Sequence, residues 1–168
     1  ASLYQIEPIG VVLPRSDEDV IAVVETAARY EVPVLPRGGG TSLAGQTVGR
    51  AIVMDFSKHM RQVLEVNAEE RGVRTQPGII LEEPDHHLRP HGLQFAPDPS
   101  TSDRANVGGA LGNNSCGAHS VLWGKTIDNV RGLEVVLSNG ARATLGPVGG
   151  DELEAALRAE GLVGDIYR

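Results

Sequence analysis

Cysteine is nearly missing from this sequence, which has only Cys116 among its 168 residues. A single thiol cannot form an intramolecular disulfide, and without a C-x-x-C pair there is no signature of a structural zinc ion or an iron–sulfur cluster. Any redox chemistry of this chain therefore requires an organic cofactor, and no metal ligands are expected.

Basic residues are also scarce, because 15 Lys and Arg stand against 22 Asp and Glu and give a net charge of -7. A protein that binds the backbone of nucleic acids needs a concentrated basic face. No such face is visible in the sequence, so nucleic acid is excluded as a partner.

Long hydrophobic runs are absent too. No apolar stretch approaches the ~20 residues that span a bilayer, and the first residues lack the regions of a signal peptide. We therefore expect a cytoplasmic protein without a transmembrane segment. The lack of an initiator methionine and the abrupt ends at Ala1 and Arg168 predict a segment of a longer protein.

Glycine, in contrast, supplies 21 residues, and the richest cluster follows a predicted buried strand. In Pro36–Gln46, three successive glycines let the backbone turn with positive φ and bring its N–H groups close to an anion. Thr41 and Ser42 add hydroxyl donors, and Arg37 is the candidate phosphate-binding cation. The pattern indicates a phosphate cradle, although a glycine-rich turn without a ligand stays open at this point.

Two familiar nucleotide motifs fit this cluster poorly. The spacing from Gly40 to Thr47 matches a P-loop except that Gln46 replaces the phosphate-binding lysine. The dinucleotide fingerprint G-x-G-x-x-G fails because Leu43 occupies its third glycine position. An NTPase and a Rossmann-type site are therefore both disfavoured.

A second small-residue region follows about sixty residues later. It comprises the proline-bracketed run 96–103 and the cradle 106–115. One phosphate needs one cradle, whereas a pyrophosphate that carries a large ring system can use two. The pair predicts a dinucleotide that spans two lobes.

Hydrophobic periodicity and turn signals divide the rest of the chain into strands and helices. A helix should follow the capping pair Ser16 and Asp19, and the pair Asn139-Gly140 predicts a hairpin with both residues at positive φ. We interpret 94–126 as one long functional loop. Strands are predicted at 10–13, 32–35, 51–55, 63–67, 72–76, 133–137 and 141–145, and further helices at 81–89, where Pro84 imposes a late start or a kink, and at 151–160.

The runs PRGGGTSLAGQ, APDPSTS, NVGGALGNNSCGAHS, WGKTIDNV and GLEVVLSNG together resemble the FAD-binding domain of the vanillyl-alcohol-oxidase and para-cresol-methylhydroxylase (PCMH) type. Within that superfamily the chain looks most similar to the glycolate oxidase, D-lactate dehydrogenase and D-2-hydroxyglutarate dehydrogenase group. The resemblance implies an α+β fold with a small β-α-β lobe at 1–60 and a larger lobe of mixed or antiparallel sheet with flanking helices at 61–168.

The same resemblance implies FAD as cofactor and a set of residues that bind it. Because Thr41 stands where covalent members carry a histidine, noncovalent FAD is expected. The implied cofactor-binding residues are Pro36, Arg37, Gly38, Gly39, Gly40, Thr41, Ser42, Gln46, Pro97, Ser100, Thr101, Ser102, Asn106, Gly108, Gly109, Asn113, Asn114, Ser115, Cys116, His119, Ile127 and Asp128.

The implied function is oxidation of a small 2-hydroxy acid such as D-lactate, glycolate or D-2-hydroxyglutarate. Its catalytic base and substrate-binding residues are expected in a cap domain outside this chain, so the chain alone should not turn over substrate. The segment GNNSCGAHS is similar to the corresponding segment of large bacterial members that also carry iron–sulfur domains. This similarity makes such a domain or subunit the candidate electron acceptor. A peripheral association of the parent protein with the inner membrane fits this group. A non-catalytic flavin-binding or partner-docking module is the alternative.

Some candidate residues keep two interpretations. Cys116 could lie near the flavin, but a small structural cysteine is favoured. His119 could donate a hydrogen bond to the ring or the substrate, and a structural role is rated somewhat higher. His86, His87 and His91 are interpreted as a solvated surface, because neighbouring helix positions point to different faces.

Overall fold

The computed structural model describes residues 3–168. Its first unit contains strand β1 (Gly10–Val12), helix α1 (Asp17–Arg29), strand β2 (Val34–Arg37) and strand β3 (Ile52–Asp55). The three strands form a parallel sheet in the order β1-β3-β2, in which Ile52 is in register with both Gly10 and Val34. Since the strands are parallel, β2 and β3 deliver their following loops to the same edge.

Helix α1 begins as the sequence predicts, with one difference in its cap. The hydroxyl of Ser16 accepts a hydrogen bond from the Asp19 amide at 3.3 Å. The carboxylate of Asp19 accepts from the amide of Arg15 at 2.8 Å. The reciprocal half of the predicted capping box is therefore shifted by one residue, and Asp19 fixes the chain just before the helix.

The apolar face of α1 packs into a core cluster at one side of the parallel sheet. Val20, Met54 and Met60 are buried at its centre, and Phe56 and Val136 pack against it from other elements. The predicted face is confirmed at Val20 and Ala27, which are buried, and at Val23 and Val24, which contact the cluster, whereas Ala28 is exposed at the end of the helix.

Two antiparallel hairpins follow. Strands β4 (Val63–Asn67) and β5 (Gly72–Thr75) form one, and β6 (Leu133–Val136) and β7 (Arg142–Leu145) form the other. An ion pair between Arg74 and Glu134, 2.6 Å long, connects the two hairpins at the surface. All of these strands match the predicted strands to within one residue at each end.

The turn between β6 and β7 differs from the prediction. Only Gly140 of the Asn139-Gly140 pair has positive φ, at 83°. The amide of Leu137 donates to Ala141 O, so three residues form the loop. A three-residue hairpin loop needs a single left-handed residue at its last position, which is why Asn139 does not adopt positive φ.

Among the helices, α2 (Glu83–Leu88) starts late with Pro84 in its first turn, as expected, and a 3-10 turn continues it over Arg89–His91. The helix predicted at 151–160 is confirmed as α5 (Gly150–Arg158), and a further helix that was not predicted, α6 (Gly161–Tyr167), follows it. The two helices are separated by extended backbone at Glu160 and by Gly161, which has a φ of 76°.

The interpretation of 94–126 as one long loop was wrong. This stretch contains helix α3 (Val107–Asn113) and helix α4 (Ser120–Trp123). A second core cluster explains how a glycine-rich sequence is held as helix, because Ala110 is buried with Leu81 and Ala105. Tertiary packing has overridden the low helix propensity of glycine here.

No helix within residues 3–168 is both long enough and apolar enough to cross a membrane.

Candidate functional site

The first glycine loop, which we define as residues 38–50, leaves the carboxyl end of β2 and turns back to β3. Gly40 is in the left-handed region with a φ of 68°, and Gly45 makes a second such turn at 84°. The Arg37 guanidinium crosses the loop, because its Nη1 lies 3.5 Å from Thr47 O and its Nη2 lies beside Gly40. The loop is thus closed on itself around a cation.

The three successive glycines, 38–40, are required for different structural reasons. Of the three, only Gly40 makes the turn with positive φ. A Cβ on Gly39 would lie 2.2 Å from the carbonyl oxygen of Arg104, and one on Gly38 would lie 2.8 Å from Oδ1 of Asn106. The first two glycines are therefore required because the second small-residue region packs directly on the first loop.

The segment around Asn106 is fixed from behind by a run of main-chain hydrogen bonds. The amide of Leu81 donates to Ala105 O at 2.9 Å, and the amide of Gly108 donates to Pro77 O at 2.8 Å. Turn 99–105 is tightened by the amides of Ser102 and Ala105. The structure thus brings together the two regions that the sequence predicted to share one ligand.

The loop that begins at Pro97 is joined to the segment that follows α3. Asp98 has an unfavourable φ of 45°, and a Cβ on Gly117 would lie 1.8 Å from its carbonyl oxygen. Oδ2 of Asp98 lies 2.8 Å from Nδ1 of His119, and the ring of Trp123 lies 4.7 Å from the His119 ring. His119 therefore holds a strained turn, which is a structural role and needs no hydrogen bond to the ring or the substrate.

Helix α3 carries three glycines, and the protein explains only one of them. A Cβ on Gly108 would lie 2.8 Å from Pro77, whereas Gly109 and Gly112 have nothing within 4 Å of such an atom. Each glycine costs a helix about 1 kcal/mol relative to alanine. Gly109 and Gly112 are exposed, so no contact within the described chain requires either of them to be glycine.

The end of α3 is held by the 126–128 segment. Asn114 adopts a left-handed cap with a φ of 46°, and its Oδ1 accepts the Ile127 amide at 3.0 Å. Thr126 is buried and donates its hydroxyl to Ser115 O at 2.7 Å. Asp128 accepts the amide of Lys125 at 2.8 Å. Asn114 and Asp128 are thus engaged by their own chain, while the side chain of Ile127 is exposed.

Cys116 lies in the same segment and is a free, exposed thiol. In the first loop, the hydroxyl of Ser42 donates to Oε1 of Gln46. Ser42 and Gln46, which the sequence analysis assigned to one site, are therefore neighbours across the loop.

A cavity of about 290 Å³ opens beside this region and was not predicted. It lies between α2 and the 97–102 loop, and Asp85, Arg89, Phe95, Ser102 and His119 are among its lining residues. Burial raises the pKa of the Asp85 carboxyl, and the hydrogen bond from the Phe95 amide at 2.8 Å partly offsets this.

The three histidines near α2, His86, His87 and His91, are all exposed, which agrees with their interpretation as a solvated surface. Among residues 3–168 no cluster of three or more His, Cys, Asp or Glu side chains has the geometry to hold a metal ion.

Comparison with known proteins identifies the class of protein that this fold and these loops define. Residues 8–146 match the family described as FAD binding domain, and the chain belongs to that family. It is similar to D-2-hydroxyglutarate dehydrogenase of Pseudomonas putida, with 43% identity over 99% of this chain and 17% of that protein. It is also similar to glycolate oxidase subunit GlcD of Bacillus subtilis, with 37% identity over 82% of this chain and 29% of that subunit.

A solved structure of alkyldihydroxyacetonephosphate synthase has a TM-score of 0.69 and 30% identity, covering 82% of this chain and 25% of that one. These likenesses confirm the predicted α+β fold of the PCMH type and FAD as the cofactor of the family. The chain spans less than a third of the length of each of these three relatives.

Proposed function

We propose that this chain is the FAD-binding part of a larger dehydrogenase or oxidase that acts on a small 2-hydroxy acid. Membership of the FAD binding domain family supports the cofactor. The substrate class rests on similarity to D-2-hydroxyglutarate dehydrogenase and to the glycolate oxidase subunit. The observation that carries the proposal is the direct packing of the first glycine loop on the second small-residue region, through Gly39 and Arg104.

The residues of this junction fit a pyrophosphate that carries large groups on both sides. Arg37 supplies a cation at the centre of the first loop, and Thr41 and Ser42 follow the left-handed turn at Gly40. On the opposite side, Gly109 leaves an open surface. We assign the first loop, residues 100–105, Gly108 and Gly109 to the pyrophosphate, residues 113–116 and His119 to the flavin side, and Ile127 and Asp128 to the adenosine or ring edge.

We propose that FAD is bound noncovalently, since Thr41 stands where a histidine imidazole would be needed for the bond to the flavin ring. When bound, FAD would supply the acceptor for a hydride equivalent from the substrate carbon. The protein would position the flavin ring and tune its electronic properties. The residues of this chain bind and orient FAD and exclude water from it. The base that removes the hydroxyl proton of the substrate, and the group that binds its carboxylate, belong to a cap domain of the parent protein.

The parent protein is proposed to act in the cytoplasm, with a peripheral association with the inner membrane and an iron–sulfur domain or subunit as electron acceptor. The basis is the similarity of GNNSCGAHS to large bacterial members of the group. We further propose that the cofactor lies between two lobes, residues 1–60 and 61–168.

A pair of alanine substitutions in α3 tests the cofactor site. Gly109→Ala should leave the free chain as stable or more stable, by up to about 1 kcal/mol, and should weaken FAD binding at least about 5-fold because its methyl group would intrude on the surface that we assign to FAD. Gly112→Ala, the matched control on the same helix, should give the stability gain without the loss of affinity. Fluorescence titration with FAD and thermal unfolding measure the two effects. Equal FAD affinity of both variants and the wild type would contradict the assignment.

A second experiment tests the division of labour between this chain and the rest of its parent. The 168-residue chain, loaded with FAD, is mixed with D-2-hydroxyglutarate, glycolate or D-lactate, and the visible flavin absorbance is followed without oxygen. We expect no reduction by the chain alone and reduction by one of these acids in the full-length protein. Rapid bleaching in the short chain would contradict the proposal that the base lies elsewhere.

A non-catalytic flavin-binding or partner-docking module is the second candidate, and one observation favours it. Val121 and Leu122, neighbours on α4, are 101% and 76% exposed. An apolar patch of this kind is typical of a surface that another segment or protein covers. Failure of the full-length protein to bleach with any 2-hydroxy acid, despite bound FAD, would favour this candidate.

A further inference from the structure

Asn106 is the N-cap residue of α3, directly before Val107, a position where an asparagine side chain usually caps the helix. Here it makes no capping hydrogen bond. Its Nδ2 donates instead to the carbonyl oxygen of Gly78 at 2.6 Å, and the residue is only 3% exposed. The carboxamide therefore serves a contact between distant segments and not its own helix.

The anchor of this carboxamide is rigid. The amide of Gly78 donates to Met60 O at 2.8 Å, and a Cβ on Gly78 would lie 1.9 Å from Phe56 O. Phe56 follows β3 directly, and its amide donates to Arg37 O at the end of β2. Asn106 is thereby fixed against the carboxyl edge of the parallel sheet, where open α/β folds place their ligands.

The chemistry of the carboxamide sets which way its other end faces. Only the nitrogen can face the Gly78 carbonyl, because two oxygens would repel each other. Oδ1 therefore faces the first glycine loop, where it lies 2.8 Å and 3.3 Å from the positions of a Cβ on Gly38 and Gly39. Within the part of the chain that the structure describes, this oxygen is buried and accepts no hydrogen bond.

A buried acceptor without a donor is unfavourable, so its presence calls for a partner in the working protein. We propose that Asn106 is a positioning residue for the first glycine loop: in solution its Oδ1 accepts a main-chain N–H of that loop, already before FAD binds, while Nδ2 holds Gly78. The inference rests on the proposed FAD site. It assigns Asn106 an effect on FAD affinity that acts through the loop and not through contact with FAD.

The test measures the loop without FAD and with it. Amide hydrogen exchange of residues 38–46 is compared in wild type, Asn106→Ala and Gly39→Ala, with α1 as an internal reference for global opening. Gly39→Ala pushes the loop away from Arg104 and so disturbs the same contact from the other side. Gly112→Ala, which removes no contact, is the control.

We expect Asn106→Ala to speed exchange of the loop amides in the free chain, and to weaken FAD binding about 5- to 10-fold, the usual effect of one lost buried hydrogen bond. Exchange in α1 should change much less than exchange in the loop. The double variant with Gly39→Ala should bind FAD no more weakly than the poorer single variant, because both disturb one contact. Gly112→Ala should match the wild type in loop exchange.

Each outcome bears on either the inference or the proposed function. Weaker FAD binding with unchanged loop exchange in the free chain would overturn the inference, because Asn106 would then contact FAD directly. Equal change in α1 and the loop would reduce Asn106 to a purely structural role and overturn it as well. If Asn106→Ala does not fold, the loop exchange and FAD affinity of Gly39→Ala decide alone. Wild-type chain that binds no FAD, with faster loop exchange in Asn106→Ala, would reject the function and keep the loop contact.

Discussion

Nδ1 of His119 lies 2.8 Å from Oδ2 of Asp98, and this pair joins the 97–102 loop to the segment after α3. Both side chains are about half exposed, so the pair contributes little to global stability. Its importance is local, because Asp98 is held at a φ of 45° directly over Gly117. We expect the pair to act on the shape of the cofactor site more than on the folding of the chain.

Replacement of His119 tests this expectation. His119→Ala should weaken FAD binding by about 2- to 5-fold, as befits an exposed pair, with little change in the melting temperature. His119→Asn keeps a donor near the position of Nδ1 and should lose less. FAD titration and thermal unfolding of the three proteins measure both quantities. A large fall in melting temperature with unchanged FAD affinity would show that the pair supports the fold and not the site.

Gly117 should tolerate no side chain. Its Cβ would lie 1.8 Å from Asp98 O and 2.3 Å from Pro97 O, which are main-chain atoms that cannot rotate away. We expect Gly117→Ala to lower the free energy of unfolding by about 1–3 kcal/mol, the usual range for overpacking. Urea unfolding followed by circular dichroism measures this, and Gly109→Ala, which meets open space, is the control. Equal stability of the two variants would contradict the packing of these segments.

The sequence alone was sufficient to predict most of the regular structure. The strands of the first unit lie within two residues of the predicted apolar runs on either side of the predicted helix, and Ser16 and Pro84 set helix starts as expected. Helix α3 was missed because its glycines and asparagines signal a loop, while the packing of Ala110 on Leu81 decides otherwise. Local pattern reports propensity, and here a distant contact overrides it.

The same limit applies to the site. The glycine loop and the second region were both found from their composition, and the family resemblance named their cofactor. The contacts of Gly38 and Gly39 with 104–106, and the cavity beside Asp85, join residues far apart in sequence. Such contacts leave no periodic signal in one sequence, so the reason for two of the three glycines could be found only from the structure.

The proposed absence of a covalent bond between the protein and FAD gives another prediction. Because Thr41 follows the glycines, denaturation of the FAD-loaded protein should release all of its flavin. Precipitation with acid should leave a yellow supernatant, and the protein band on a denaturing gel should show no flavin fluorescence under ultraviolet light. Cys116 is the exposed nucleophile in the second region. Flavin retained on the denatured wild type but lost from Cys116→Ser would contradict noncovalent binding and identify the attachment point.

Asp85 gives the chain a predictable dependence on pH. Burial raises its pKa from the ordinary value of 3.8, so the folded state holds the proton more tightly than the unfolded state does. The stability from this group is therefore complete below the unfolded pKa and is lost as the pH rises through the folded pKa. Asp85→Asn keeps an oxygen for the Phe95 amide without the buried charge, so its free energy of unfolding should rise relative to that of the wild type from pH 3 to pH 7. We expect this difference in the free energy of unfolding to stay below about 1 kcal/mol, since solvent screens this half-buried carboxyl. Urea unfolding across that range measures it, and an advantage that shrinks with rising pH would contradict the direction of the pKa shift.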